Sequence, residues 1–386
     1  MKKHNNFLRR FSVTNFKAIR NSGSIRFSPF TAVIGNNGSG KSSLIEALLT
    51  YHTFVTEDLD RAFQLWRGIA HIRNKSAKTT IENNRSSKSI SFALRGKALD
   101  KSFSVSNSIN ELGKGNEIFF EIETGKVGDL KIEREKGNRR SIHGESQTAF
   151  GRIPESESVF KECRYFKDFI AGWQFLILNP AIMGAPHAKT MTKDRIVLNS
   201  DGSNIGEYLL EIRTSPNGTD ILHGIIDSLQ YVLPYAKDIQ PSLTNELERT
   251  VYMQLSEQDF KVPGWLFSSG TLRILALLAV LRNPNPPTLM VVEEIENGLD
   301  PRTINLLIDE ILSATQSGRT QVIATTHSPY LLDLCPLSSI LFAERKNDGE
   351  TIFSRPYDEK EKRDWAQKFR PGQLYTMSRL AKGAGK

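Results

Sequence analysis

The stretch "FTAVIGNNGSGKSSLIEAL", Phe30 to Leu48, decides the fold. It begins as an apolar, β-prone run and ends with apolar residues at helical spacing. Between the two lies a glycine-rich turn, and strand, loop and helix in that order are what the G-x-x-x-x-G-K-S phosphate loop requires. Gly35, Gly38 and Gly40 let the backbone curl with its N–H groups turned inward. Asn36, Asn37, Ser39 and Ser43 complete the cradle, and Lys41 brings a point charge to the β- and γ-phosphates. Ser42 supplies a hydroxyl for Mg²⁺. A chance glycine-rich turn explains the glycines but not their flanks.

Three further stretches fit around this loop. "TLMVVEEIENGLDP" is an apolar strand ending in Glu293 and Glu294. Carboxylates at the carboxyl end of a parallel strand face the ligand crevice. Glu293 suits a metal held through its water shell, and Glu294 suits orienting and deprotonating a water. Acids also simply mark strand ends. "QVIATTHSPYL" is a second apolar strand, carrying His327 just past its end and within reach of a γ-phosphate. "FSSGTLRILALLAVL" places Ser268 to Thr271 before a helix apolar on almost every side. That stretch reads as an ordinary helix cap, or as a phosphate site at a helix N-terminus.

The 386 residues suit two or three domains, or one large domain with insertions. A net charge of +8 permits a polyanionic partner without demonstrating one. Two distant cysteines, Cys163 and Cys335, argue against a disulfide scaffold or zinc site and fit a reducing cytoplasm. The start lacks the apolar core of a signal peptide. The longest apolar run, Leu272 to Leu281, is about half a membrane span.

Past the loop, "SISFALRG", "KSFSVSNS", "NEIFFEIETG" and "DLKIEREKG" predict an antiparallel meander. The middle, about 160 to 260, predicts mainly helix, "NELERTVYMQL" included. The last third alternates helix and strand, which implies a parallel sheet. No heptad pattern runs long enough for a coiled-coil arm. The charged tail is expected to fray.

Taken together these motifs resemble the ABC-type ATPases, in particular their RecF/SMC/OLD-like branch. The resemblance runs from Val13 to about Leu334, through "VTNFKAI", "VLNSDGSNIGEYL" and the stretches above. It implies an α/β ABC ATPase head: a P-loop parallel-sheet core, an antiparallel β-rich subdomain, a helical insertion and no long coiled coil. It also implies ATP and Mg²⁺ as cofactors, with Glu293 at the Walker B position beside Ser42 as metal ligand. Glu294 becomes the catalytic glutamate and His327 the switch histidine. Ser268 to Thr271 takes the signature position and Asn297 to Asp300 the D-loop. Two heads would sandwich two ATP molecules, so that Ser269, Gly270 and Asp300 act on the ATP of a second copy. The signature departs from the family in reading Ser-Ser-Gly-Thr, and Walker B carries Glu where many relatives have Asp.

The expected division is 1–51, N-terminal ATPase lobe; 52–160, basic segment and β-rich insertion; 161–262, helical subdomain; 263–345, C-terminal ATPase lobe; and 346–386, charged tail. Only about sixty residues follow His327, too few for the nuclease domain that many OLD-like members carry. The resemblance therefore implies a cytoplasmic anti-phage ATPase whose closure as a homodimer gates a separate effector protein, a nuclease or toxin. A RecF-like repair ATPase acting on DNA is the alternative, and a transporter subunit fits less well. The basic run from Arg61 to Lys88, with Arg139 and Arg140, leaves room for nucleic acid but also reads as a solvated face. Gln174, Phe16 and Lys17 are weighed near the nucleotide and left outside the site.

Overall fold

The computed structural model describes residues 6–75, 81–82, 85–86, 89–112, 117–134, 161–190, 195–244 and 249–381. The chain divides into two compact units: residues 1–173 with 321–386, and residues 174–320.

Among the described residues the first unit holds two large sheets besides the short pair Ile81–Glu82 with Arg85–Ser86. One is the expected meander: Leu130–Arg134, Glu117–Val127, Lys101–Leu112 and Ile90–Ala98, continued by Phe7–Phe16 and Ile19–Asn21. Along Ile90–Ala98 every second residue is buried, as a sheet with one covered face requires. The helix Lys41–Thr56 covers that face. Tyr51 and Phe54 pack against Phe92, with centroids 5.8 and 5.5 Å apart in edge-on geometry.

In the other sheet Gln321–Thr326, Phe30–Ile34 and Ile340–Arg345 run parallel, side by side, and Thr351–Ser354 closes antiparallel. Phe30–Ile34 and Gln321–Thr326 are buried at every residue, the mark of strands covered on both faces.

The tail docks on the first unit between 356 and 381, and its Gly- and Lys-rich end beyond 381, expected to fray, lies outside the described residues. Helices Lys360–Trp365 and Pro371–Thr376 dock, with Leu374 and Leu380 buried. The anchor is Lys362, only 2% exposed. Its ammonium donates to Glu359 and to the carbonyls of Leu380 and Ala381, at 2.9, 2.7 and 2.7 Å. A charge run looks solvated in sequence, whereas this buried charge is fully partnered.

The second unit pairs Trp173–Leu176 with Leu289–Val292 and carries four long helices: Ile205–Thr214, Gly218–Gln230, Ser269–Arg282 and Pro301–Gln316. Arg282 grips Glu310 with both ends of its fork, at 3.1 and 2.5 Å, and ties the last two helices together. The expectation of helix at "NELERTVYMQL" is corrected. Thr250–Ser256 is a strand between Asp238–Leu243 and Lys261–Pro263. Val251, Met253 and Leu255 alternate inward, so a period of two overrides the helical propensity of the flanking Leu and Glu.

Among the described residues the longest helices have 16 residues, leaving no coiled-coil arm. None of them is long and apolar enough to cross a membrane. Neither cysteine forms a disulfide, and both are buried.

Candidate functional site

The loop Gly35 to Gly40 leaves the buried strand Phe30–Ile34 and opens the helix at Lys41. Gly35 has no room for a side chain, because a Cβ there would stand 2.0 Å from the Ala343 carbonyl oxygen. Gly38 and Gly40 have φ of 75° and 98°, which L side chains rarely adopt. The helix has no side-chain cap and no acid in its first turn, so its positive end is not neutralised locally. Lys41 is 7% exposed, and its ammonium lies on the loop, donating to Gly35 and Asn36 carbonyls at 2.7 and 3.1 Å. Ser42 is exposed on the first turn and Ser43 is buried. Asn36 and Asn37 are exposed, while the Ser39 hydroxyl is buried without a hydrogen-bond partner.

His327 belongs to the same unit. Thr326 pairs in register with Ile34, so the next residues along, His327 and Gly35, leave the sheet at the same edge. His327 is exposed there. The turn behind it is fixed: Ser328 donates its N–H to Thr326 Oγ1 at 3.0 Å and caps the helix Pro329–Asp333.

A wall of this site was missed in sequence. A cavity of about 520 Å³ lies beside Asn36, Asn37 and Ser39, bounded by Phe342 to Arg345 and by the docked tail. The Tyr375 hydroxyl lies 3.3 Å from Asn36 Oδ1. Gly372 fits against the Pro329 carbonyl, where a Cβ would stand at 2.0 Å, and donates its N–H to Asp333 at 2.7 Å. The Pro-Gly of "RPGQL" was the available signal.

The second unit brings the other motifs to one edge. Ser268 caps the helix Ser269–Arg282, accepting the Thr271 N–H at 3.1 Å, and its hydroxyl meets Thr271 Oγ1 at 2.8 Å. Ser269 is exposed and Gly270 half-buried. A Cβ on Gly270 would stand 2.8 Å from the Gly298 carbonyl oxygen, so the helix start sits directly on the turn Asn297–Asp300. Asp300 caps the helix Pro301–Gln316, accepting N–H bonds from Arg302 and Thr303 at 2.9 and 3.2 Å. The Thr303 hydroxyl, then those backbone bonds, hold its carboxyl below the usual range.

Glu293 follows the buried strand Leu289–Val292, half-buried, with its N–H on the Leu176 carbonyl at 3.1 Å. Glu294 is exposed and takes φ 47°, an uncommon conformation for a side-chain-bearing residue and one that clusters at functional sites. It shares a field with Arg273, a guanidinium lowered by burial and raised in part by the Glu294 charge.

The other weighed residues have the following surroundings. Phe16 is core at 0% exposure. Lys17 is held by Glu46 at 2.8 Å and over the Trp66 ring at 3.5 Å. Gln174 donates to the Leu198 carbonyl at 2.8 Å. In the basic run, Arg73 is paired with Glu111 and Arg61 with Glu57. Lys78, Lys88, Arg139 and Arg140 lie outside the described residues.

A family model described as "AAA domain, putative AbiEii toxin, Type IV TA system" matches residues 30–333. The chain belongs to this AAA-domain family. Among solved structures, this AAA domain is similar to an Smc head bound to the C-terminal winged-helix domain of ScpA, with TM-score 0.56 and 13% identity over 90% of this chain and 97% of that one. It is similar as well to an Smc head domain with an extended coiled coil, bound to the C-terminal domain of ScpA derived from Pyrococcus furiosus. There the TM-score is 0.53 at 13% identity, over 90% and 96%. The fold is thus that of an SMC-like ABC ATPase head. No curated protein matches the sequence.

Proposed function

We propose that this AAA domain binds ATP with Mg²⁺, hydrolyses it, and pairs head to head with a second copy. The residues fit the nucleotide. The loop is closed to side chains at Gly35, carries Lys41 and ends in an uncapped helix N-terminus, where phosphate binds well. Among the described residues no group of three or more His, Cys, Asp or Glu could hold a metal ion. By the resemblance, Ser42 and Glu293 are each proposed as a metal ligand, and Mg²⁺ takes phosphate oxygens as well. Such an ion would neutralise charge developing on the transferred phosphoryl group. Glu294 is proposed to hold and deprotonate the attacking water, and His327 to meet the γ-phosphate.

Head pairing rests on one observation, the seating of Gly270 on Gly298. That contact supports the reading in which the exposed Ser269 and Asp300, flanking it, meet a γ-phosphate held by another copy. Ser268 accepts the Thr271 N–H, while the Ser269 and Gly270 N–H groups have no intrahelical acceptor, which suits this helix start to an anion. A phosphate contacted from two copies interacts differently with open and closed states, as a ligand-driven switch requires.

We extend the reading to a gated effector. The family's description names a toxin–antitoxin system, and the similar Smc heads are bound to ScpA domains. The first supports a toxin-type role and the second a head that binds a separate protein; we carry these to an anti-phage ATPase in which head closure licenses a separate effector. Ser269→Arg tests the pairing. It should abolish the ATP-dependent rise in light scattering and leave ATP affinity of the single chain unchanged. A normal rise overturns the proposal.

A further inference from the structure

A second concentration of positive charge lies in the first unit, away from the P-loop. In the strand Phe7–Phe16 the register slips between Leu8 and Arg10, so Arg9 is an extra residue. Leu8 and Phe11 both stay fully buried, three apart, and the bulge turns Arg9 and Arg10 outward together. Bulges of this kind re-aim side chains. Arg10 then pairs with Arg26 on one neighbouring strand and with Arg95 on the other. Directly opposed residues share a face, and opposed like charges destabilise a sheet. Three arginines in one row is thus an arrangement the fold does not favour by itself.

Beneath the row is a cavity of about 360 Å³, lined by Arg10, Arg26 and Arg355 and by the hydroxyl-bearing Ser24 and Ser354. Arg355 is clamped from behind: it donates to the Arg26 carbonyl at 2.8 Å, to Ser28 Oγ at 3.2 Å and to the Ser338 carbonyl. Its Nε is buried without a partner. Burial, and then the Arg26 charge beside it, lower its guanidinium below the ordinary range. Two carboxylates also line the cavity. Asp358 pairs with Arg26, and Glu359 is taken by Lys362 at 2.9 Å. Among the described residues no hydrogen bond or ion pair holds the Arg10 side chain.

Arg10 and Arg26, on paired strands, and Arg355, just past the strand Thr351–Ser354, line one cavity and together offer more donors than the two oxygens of a carboxylate accept. A phosphate, with three or four oxygens, matches them. The volume is that of a small-molecule site. The place is also distinct: Arg26 and Ser28 precede the strand Phe30–Ile34, and the P-loop follows it, about 17 Å further on.

We propose that this cavity is a second phosphate site, taking one phosphate of a nucleic-acid backbone or of a free nucleotide, with Arg10 and Arg95 extending it along the sheet. The test uses the full chain carrying Lys41→Ala, which silences the P-loop. Binding of a short fluorescent DNA duplex, of ATP and of a polyglutamate peptide is measured before and after adding Arg10→Glu. Ser24→Asp, at another exposed rim position, serves as a second variant, and circular dichroism checks folding of each.

Both variants should weaken one probe about tenfold. Loss of duplex binding, with the salt slope reduced by about one, assigns the site to nucleic acid. Loss of ATP binding assigns it to a free nucleotide. The proposal is overturned if neither probe binds, if both variants leave both affinities unchanged, or if only binding of a polyglutamate peptide is lost.

Discussion

Glu294 takes a left-handed backbone conformation that costs a non-glycine residue roughly 1–2 kcal/mol. The following turn fixes it: Asn297 donates its N–H to the Glu294 carbonyl at 2.9 Å. Strain held at one exposed carboxylate is expected where that carboxylate must be aimed. Glu294→Gln keeps the shape and removes the base. It should abolish phosphate release while ATP still assembles paired heads, seen as light scattering that rises with ATP and does not decay. Normal turnover in this variant sinks the assignment. Asp300 shows why a residue's role is not legible from its motif alone. The resemblance assigns it to the partner's ATP, and the structure shows it capping its own helix. Asp300→Ala should cost about 1 kcal/mol of stability from the lost cap, read by thermal melting, as well as weakening closure. Asp300→Asn keeps a capping oxygen and should restore the melting temperature.

At the scale of elements, the stretches read most directly from sequence are those whose signal is local. The P-loop, the strands Leu289–Val292 and Gln321–Thr326 and the meander each carry their period and turns within a dozen residues. Thr250–Ser256 failed because helix-favouring neighbours masked a short alternation that sheet partners decide. In the tail the anchor was not legible, because nothing near Lys362 reveals that acceptors for it lie at residues 380 and 381. The arginine row was invisible for the same reason: Arg10, Arg26 and Arg95 meet only through strand pairing and a one-residue bulge. The candidate site was legible as a set of motifs. Its fit depends on contacts such as Gly35 with Ala343 and Gly270 with Gly298, which no local pattern encodes.

At the scale of the molecule, His52 gives the first unit a pH dependence. Burial lowers its pKa to about 4, against a hydrogen bond to the Ala171 backbone that raises it. The unfolded chain takes up a proton below about 6.5 while the native state refuses it. Stability should therefore hold above pH 6.5 and fall as pH drops toward 4. Melting temperatures across that range would show it, and His52→Gln should flatten the slope; an equal slope in the variant rules His52 out. The order in which the chain is made has its own consequence. The P-loop strand Phe30–Ile34 has as neighbours Gln321–Thr326 and Ile340–Arg345, with the whole second unit encoded between them. At about 5–20 residues per second, a ribosome leaves this apolar strand without either neighbour for roughly 15–60 s. Throughout that interval it is an open template for wrong pairing, so the yield of folded protein should depend on chaperone supply and translation speed more than on the stability finally reached.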